Sequence, residues 1–144
     1  MAIWKTHPDQ KLIAFFSKNT MVEALGIEYF EIGDDFVRAR MPVDHRHVQP
    51  ARILHGGASV ALAETLGSIG ANLCVDMAKS IVVGVEINAN HIRSVGEGLA
   101  VIGTARPLHV GGKTHVWEIR IEDEAEGRLV CISRLTCSVI TRAQ

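Results

Sequence analysis

Glu64 stands in the most apolar stretch of the chain, among Ala61, Leu62, Ala63 and Leu66. A carboxylate in that setting is costly unless it is paired or put to use, because desolvation opposes its charge. Put to use, it is a general base or a nucleophile. Ser68 and Asn72 continue a polar line from it at helical spacing. That line is either a solvent-exposed stripe or the wall of a cleft.

The run His55-Gly56-Gly57 opens the same stretch. The first N–H groups of a helix lack internal partners and carry the positive end of its dipole. Glycine lets a ligand come close to that backbone. Such an end holds an anion or a developing oxyanion; the plainer alternative is a glycine hinge that turns loop into helix. Gly56 and Glu64 are eight positions apart, about 12 Å along a helix. A carboxylate reaches only about a third of that distance. If both groups act on one carbonyl carbon, they come from different subunits, which predicts an active site at a dimer interface.

The elements that must position these groups follow from periodicity. Residues 9–18 suit a short amphipathic helix starting near Pro8 or Asp9, with a further turn over 21–25 ended by Gly26. Ile27–Ile32 and Phe36–Met41 read as strands flanking the hairpin signal Gly33-Asp34-Asp35. Residues 42–57 read as an irregular loop. Ala58–Val75 is a helix that is apolar on almost every face, which predicts burial on all sides. Four strands follow, Ile81–Ile87, Gly98–Ala105, Thr114–Glu122 and Arg128–Ile140, separated by glycine-containing turns. No internal repeat or linker appears. The order predicts one α+β domain over 1–144, an antiparallel sheet wrapped around one long central helix.

Composition narrows the function classes. The chain has 144 residues, 47% hydrophobic, and a net charge of −1. No basic bias supports a nucleic-acid partner. No stretch is long and apolar enough to span a membrane, and no secretory leader is visible at the N-terminus. Cys74, Cys131 and Cys137 are odd in number and sit in apolar surroundings, which predicts reduced core cysteines and a cytoplasmic protein. His45, His47 and His55 match no familiar zinc spacing, so no metal is expected. The acidic run Glu122–Glu126 reads as a solvated turn. His115 and Trp117 are strand residues with no assigned chemistry.

Several motifs in order carry a resemblance: MPVD (41–44), QP (49–50), LHGGASVALAETLGS (54–68), VVGVEINANHIRS (82–94) and PLHVGG (107–112). With them the chain resembles the hotdog-fold acyl-CoA thioesterases of the phenylacetate and enterobactin-proofreading type, from residues 3–5 to 133–136. The resemblance implies hydrolysis of an aromatic or hydroxyaromatic acyl-CoA, among which is the 1,4-dihydroxy-2-naphthoyl-CoA of menaquinone biosynthesis. It implies that Glu64 is the nucleophile or general base, and that the Gly56 N–H polarises the thioester carbonyl. Gln49 and His55 would orient the carbonyl, water or leaving thiol, and Ser68 the water. Gly84, the run His91-Ile92-Arg93-Ser94 and the run His109-Val110-Gly111-Gly112-Lys113-Thr114 would hold CoA, with Arg93 and Lys113 as phosphate partners. No cofactor is implied, since CoA arrives with the substrate. A tetramer of two dimers is implied as the assembly. A misacylated carrier protein is the rival substrate. A hotdog dehydratase, using His55 to move protons, is the rival reaction.

The resemblance departs at Ala51-Arg52, where the family carries Phe-Gly. This predicts an aromatic lost and a cation gained beside the acyl end. One extra residue between Gly98 and Pro107 predicts a small bulge or an altered turn.

Overall fold

The computed structural model describes residues 1–143 of the predicted 1–144 domain, and of residues 29 and 30 the backbone alone. Asp9 starts α1 (Gln10–Ser17) by accepting the Lys11 and Leu12 N–H groups on Oδ1, at 2.9 and 3.3 Å. This is how an N-cap carboxylate meets the orphan donors of a first turn. α2 (Met21–Ala24) is a single turn capped by Thr20, and Gly26 follows it at φ +63°. Both helices lie where the sequence puts them.

Six strands follow: β1 (Glu28–Ile32), β2 (Val37–Pro42), β3 (Ser80–His91), β4 (Ala100–Val110), β5 (Thr114–Asp123) and β6 (Leu129–Thr141). Between β2 and β3 runs the long helix α3 (Gly56–Leu73). Every pairing is antiparallel, in the order β1-β2-β4-β5-β6-β3. The sheet curls around α3, which packs against β2 through β6. This is the predicted α+β hotdog architecture.

The core lies between α3 and the sheet. Leu62, Leu66, Trp117, Ile119 and Leu135 are fully buried there. Truncating a leucine such as Leu66 to alanine costs about 2–5 kcal/mol. A Cβ on Gly70 would stand 2.7 Å from the Trp117 ring, so helix and sheet approach this closely only without a side chain. Trp4 stacks near Trp117, with ring centroids 6.4 Å apart, and ties the N-terminal segment to the core.

α3 is two residues earlier than expected and is not buried on all sides. Ser59, Leu62, Ala63, Leu66, Gly67, Gly70, Ala71 and Leu73 are buried. Val60, Glu64, Thr65, Ser68, Ile69 and Asn72 are half-exposed. One curled sheet covers one side of a helix, and the polar line at Glu64, Ser68 and Asn72 lies on the other.

β3 is an edge strand and runs to His91, beyond the β-branched segment that marks it in the sequence. Its C-terminal half is polar, but β6 pairs with it residue by residue to His91↔Cys131. Tertiary pairing overrides the weak strand propensity of Asn88 and Asn90. The register shifts once, between Gly84↔Cys137 and Glu86↔Thr136, so Val85 is an extra residue in a β-bulge. A second bulge, at Leu108, lies just past the Gly98–Pro107 segment where an irregularity was expected.

The acidic turn is not wholly solvated. Asp123 is buried and accepts the Glu126 and Arg128 N–H groups at 2.7 and 3.2 Å, closing the β5–β6 hairpin. The three cysteines are free and buried, as expected. Burial pushes the Cys74 thiol up to about 11, which leaves it a poor nucleophile.

Candidate active site

Glu64 faces β3 at Gly84. A Cβ on residue 84 would overlap Glu64 Oε1, so glycine there makes room for the carboxylate. Asn72 clamps the helix to the same strand. Its Nδ2 donates to the Val82 and Ser68 carbonyls, each at 2.9 Å, and its Oδ1 accepts the Val82 N–H at 2.9 Å. The Thr65 hydroxyl donates to the Ala61 carbonyl at 2.7 Å. The side-chain polar atoms of Thr65 and Asn72 are thus spent within the fold. Among the described residues no ion pair holds the Glu64 carboxylate. Burial, with a smaller push from the nearby Glu64 charge, raises the Cys137 thiol to about 11. Glu64, Thr65, Ser68 and Ile69 form one wall of a cavity of about 660 Å³.

The other end of the helix forms a second cavity, of about 320 Å³, which includes Gln49, Gly56, Ser59, His91, Arg93 and Ser94, with Ile92 at its rim. His55 is the N-cap of α3: its Nδ1 accepts the Gly57 N–H at 2.8 Å. The Ala58 N–H bonds the His55 carbonyl at 3.0 Å. Among the described residues nothing accepts the Gly56 N–H, which remains available as a donor. A Cβ on Gly56 would stand 2.7 Å from His91 Nε2, so the ring of His91 lies against the helix end. Arg93 reaches the Leu129 carbonyl at 3.3 Å and remains exposed.

His47 shapes the loop that leads here and is fully buried. Its Nε2 lies 2.7 Å from the Leu25 carbonyl, and its Nδ1 accepts the Asp44 N–H at 3.1 Å. Hydrogen bonds from Arg46, side chain first, hold the Asp44 carboxyl well below the usual carboxylate range. Bridges Val48↔Leu54 and Ile53↔Gly96 then fix Gln49 beside the helix start.

The predicted site residues therefore divide into groups. Gln49, Gly56 and His91–Ser94 come together at the start of α3; Glu64, Ser68 and Gly84 come together further along it. His109–Thr114 form the β4–β5 hairpin, with Thr114 level with Ser138 and, through it, Val83. That is the Glu64 end of β3. His55 caps the helix and does not line either cavity.

Arg52 pairs with Glu97, at 2.6 Å from Nη2 and 2.9 Å from Nε. Its backbone is left-handed at φ +60°, a conformation that glycine takes without penalty. The sequence missed Asn72 as a clamp, Ser59 in the smaller cavity, and the residues of α1 that line the larger one. Only the apolar face of α1 signalled the last of these.

A hotdog fold with a lone carboxylate on the central helix and a free amide N–H at its start is that of a thioester hydrolase. The sequence profile of the thioesterase superfamily matches residues 51–130, and the chain belongs to that family. It is 48% identical over 138 residues to the 1,4-dihydroxy-2-naphthoyl-CoA hydrolase of Escherichia coli K12, covering 96% of this chain and 99% of that one. It is 49% identical over 138 residues to the proofreading thioesterase EntH of Cronobacter turicensis, covering 96% and 98%. The crystal structure of a mutant of the thioesterase PA1618 from Pseudomonas aeruginosa superposes with a TM-score of 0.94 at 42% identity, covering 98% of this chain and all of that one.

Proposed function

We propose that this thioesterase hydrolyses an aromatic or hydroxyaromatic acyl-CoA, such as 1,4-dihydroxy-2-naphthoyl-CoA, to the free acid and CoA. Glu64 either takes a proton from the attacking water or attacks the carbonyl carbon itself to form an anhydride that water then opens. The oxyanion that develops is held by the Gly56 N–H. The C–S bond breaks: on the first route Glu64 passes the proton it took from water to the leaving thiolate, and on the second the thiolate leaves as the anhydride forms and its proton comes from the water that then opens the anhydride. Gln49 orients the carbonyl, His55 does so through the ring nitrogen not used in its cap, and Ser68 positions the water. No separate cofactor takes part.

The observation that carries this reading is the separation of the two groups. Glu64 faces Gly84 near one end of β3, while Gly56 faces His91 at the other. β3 is a free edge of 12 residues whose exposed side chains include Val83 and Val85. A long exposed edge strand, with its row of unpaired N–H and C=O groups, is a template for pairing with another chain. In a two-fold antiparallel pair the His91 end of one strand lies beside the Gly84 end of the other. Glu64 of one protomer then meets Gly56 of its partner, with two sites per dimer. The resemblance extends this to a tetramer of two dimers.

In that pair the CoA groups also converge. His91–Ser94 of one protomer approach Gly84 and the His109–Thr114 hairpin of the other, and Arg93 and Lys113 supply the phosphate charges. The three unpaired cysteines favour a reducing, cytoplasmic setting. The likeness to a proofreading thioesterase favours a second reading, in which the pantetheine arm arrives on a carrier protein. Comparing CoA and carrier-protein thioesters of one acyl group separates the two.

Release of thiol, followed with DTNB, tests the catalytic assignment. Glu64→Ala should lose about 10²-fold or more in kcat, with the fold kept by circular dichroism. Substantial turnover in that variant would count against the mechanism. Label on Glu64 after a single turnover in water labelled with heavy oxygen would establish the anhydride route, opened by water at the glutamyl carbon.

A further inference from the structure

The cavity beside Glu64 has a second wall with no role so far. α1 is amphipathic, with Leu12, Ile13 and Phe16 on its cavity side, yet it buries no residue. Phe16 is 66% exposed. A short helix is normally stabilised by packing its apolar face. α1 is held at its ends instead. Before it, the Lys5 and Thr6 N–H groups bond the Leu73 carbonyl at 2.9 and 3.0 Å, and the Thr6 hydroxyl bonds the Val75 carbonyl at 2.8 Å. After it, the Ile27 N–H bonds the Val22 carbonyl at 3.1 Å, and Arg46 bonds the Ala24 carbonyl at 2.6 Å. The helix is strung across an apolar space that its own side chains do not fill.

That space, about 660 Å³, is the size of a small-molecule pocket. Thr65 and Asn72 on its α3 wall have spent their polar atoms. What remains is a mostly apolar room with Glu64 and Ser68 on its α3 wall, and with His7, Asp9 and Arg142 also in its lining.

We propose that this cavity receives the acyl group, and that Leu12, Ile13 and Phe16 of α1 determine which acyl groups are accepted. The inference rests on Glu64 being the catalytic carboxylate. The class selected is a bulky apolar acyl group, above all an aromatic ring system, to which Phe16 offers an aromatic partner. None of the residues assigned to CoA lines the cavity, so α1 senses the acyl group and not the nucleotide.

The test uses Ile13→Trp, which fills the cavity, and Phe16→Ala, which opens it, in the full chain. kcat/KM is measured for acetyl-, benzoyl- and 2-naphthoyl-CoA, together with product inhibition by CoA. Ile13→Trp should lower the value for 2-naphthoyl-CoA by about tenfold or more, with acetyl-CoA changed by no more than about threefold. Phe16→Ala should lower benzoyl- relative to acetyl-CoA, and inhibition by CoA should not move in either variant. Equal changes across the panel, or none, would overturn the proposal. Calorimetry with 2-naphthoate reads the pocket without turnover: weaker binding in Ile13→Trp supports it, and unchanged binding overturns it. The acyl ratio and the calorimetry are read independently of Glu64→Ala, so failure of the carboxylate's role and failure of the pocket's are told apart.

Discussion

Gly84 and Glu64 occupy one another's space: the carboxylate of the helix residue fills the volume that any side chain at position 84 would need. The overlap falls on the far end of a flexible side chain, so the fold can relieve it by moving the carboxylate alone.

Gly84→Ala should therefore leave the melting temperature within a few degrees of wild type and still lower kcat by about 10–100-fold, since a displacement on the order of 1 Å is costly at a reacting group. Thiol-release kinetics beside a thermal melt check it. A variant that is both stable and fully active would show that the carboxylate's placement is not critical.

A site shared between protomers predicts complementation. Glu64→Ala and Gly56→Ala should each be nearly inactive as homodimers, the second because its methyl group crowds His91 and screens the amide. Unfolded together and refolded, half the dimers are mixed, and each mixed dimer carries one intact site. About a quarter of wild-type activity should return. No recovery would place both groups of a working site on one chain.

Asp44 predicts an acid-sensitive loop. Its folded-state value is depressed by Arg46, so the unfolded chain binds more protons as pH falls, and stability falls with it. The contribution is complete above the ordinary carboxylate value of about 4 and is lost progressively below it. Asp44→Asn should melt lower than wild type at pH 7, and the two melting curves should converge as pH falls well below 4. Parallel curves at all pH values would show that the charge of Asp44 contributes nothing.

Much of the fold could be read before the structure was known, for local reasons. Asp9 caps its helix through its own side chain, Gly26 takes a left-handed turn, and the hairpins fall at glycine-rich breaks. Glu64 stood out because a carboxylate among leucines demands an explanation. What escaped the sequence depends on distant partners. The length of β3 is set by β6, the direction of the Arg52 side chain by Glu97, and the exposed side of α3 by how far one sheet can curl. Arg52 stands where the resemblance expects a glycine and takes the left-handed backbone that glycine adopts freely, with its side chain directed to Glu97.

The extra residue at Val85 has a consequence for both halves of the site. Along an unbroken strand, odd and even positions look opposite ways, so residues 84 and 91 would be out of phase. The insertion resets that alternation, and both come to address the same helix. Drawing Val85 into the ladder would shift every later residue by one and send either Gly84 or His91 to the outer surface, whereas deleting it would leave the two six positions apart and in phase. The irregularity is thus a parity correction, and smoothing it would leave each protomer with one end of the site facing the wrong way.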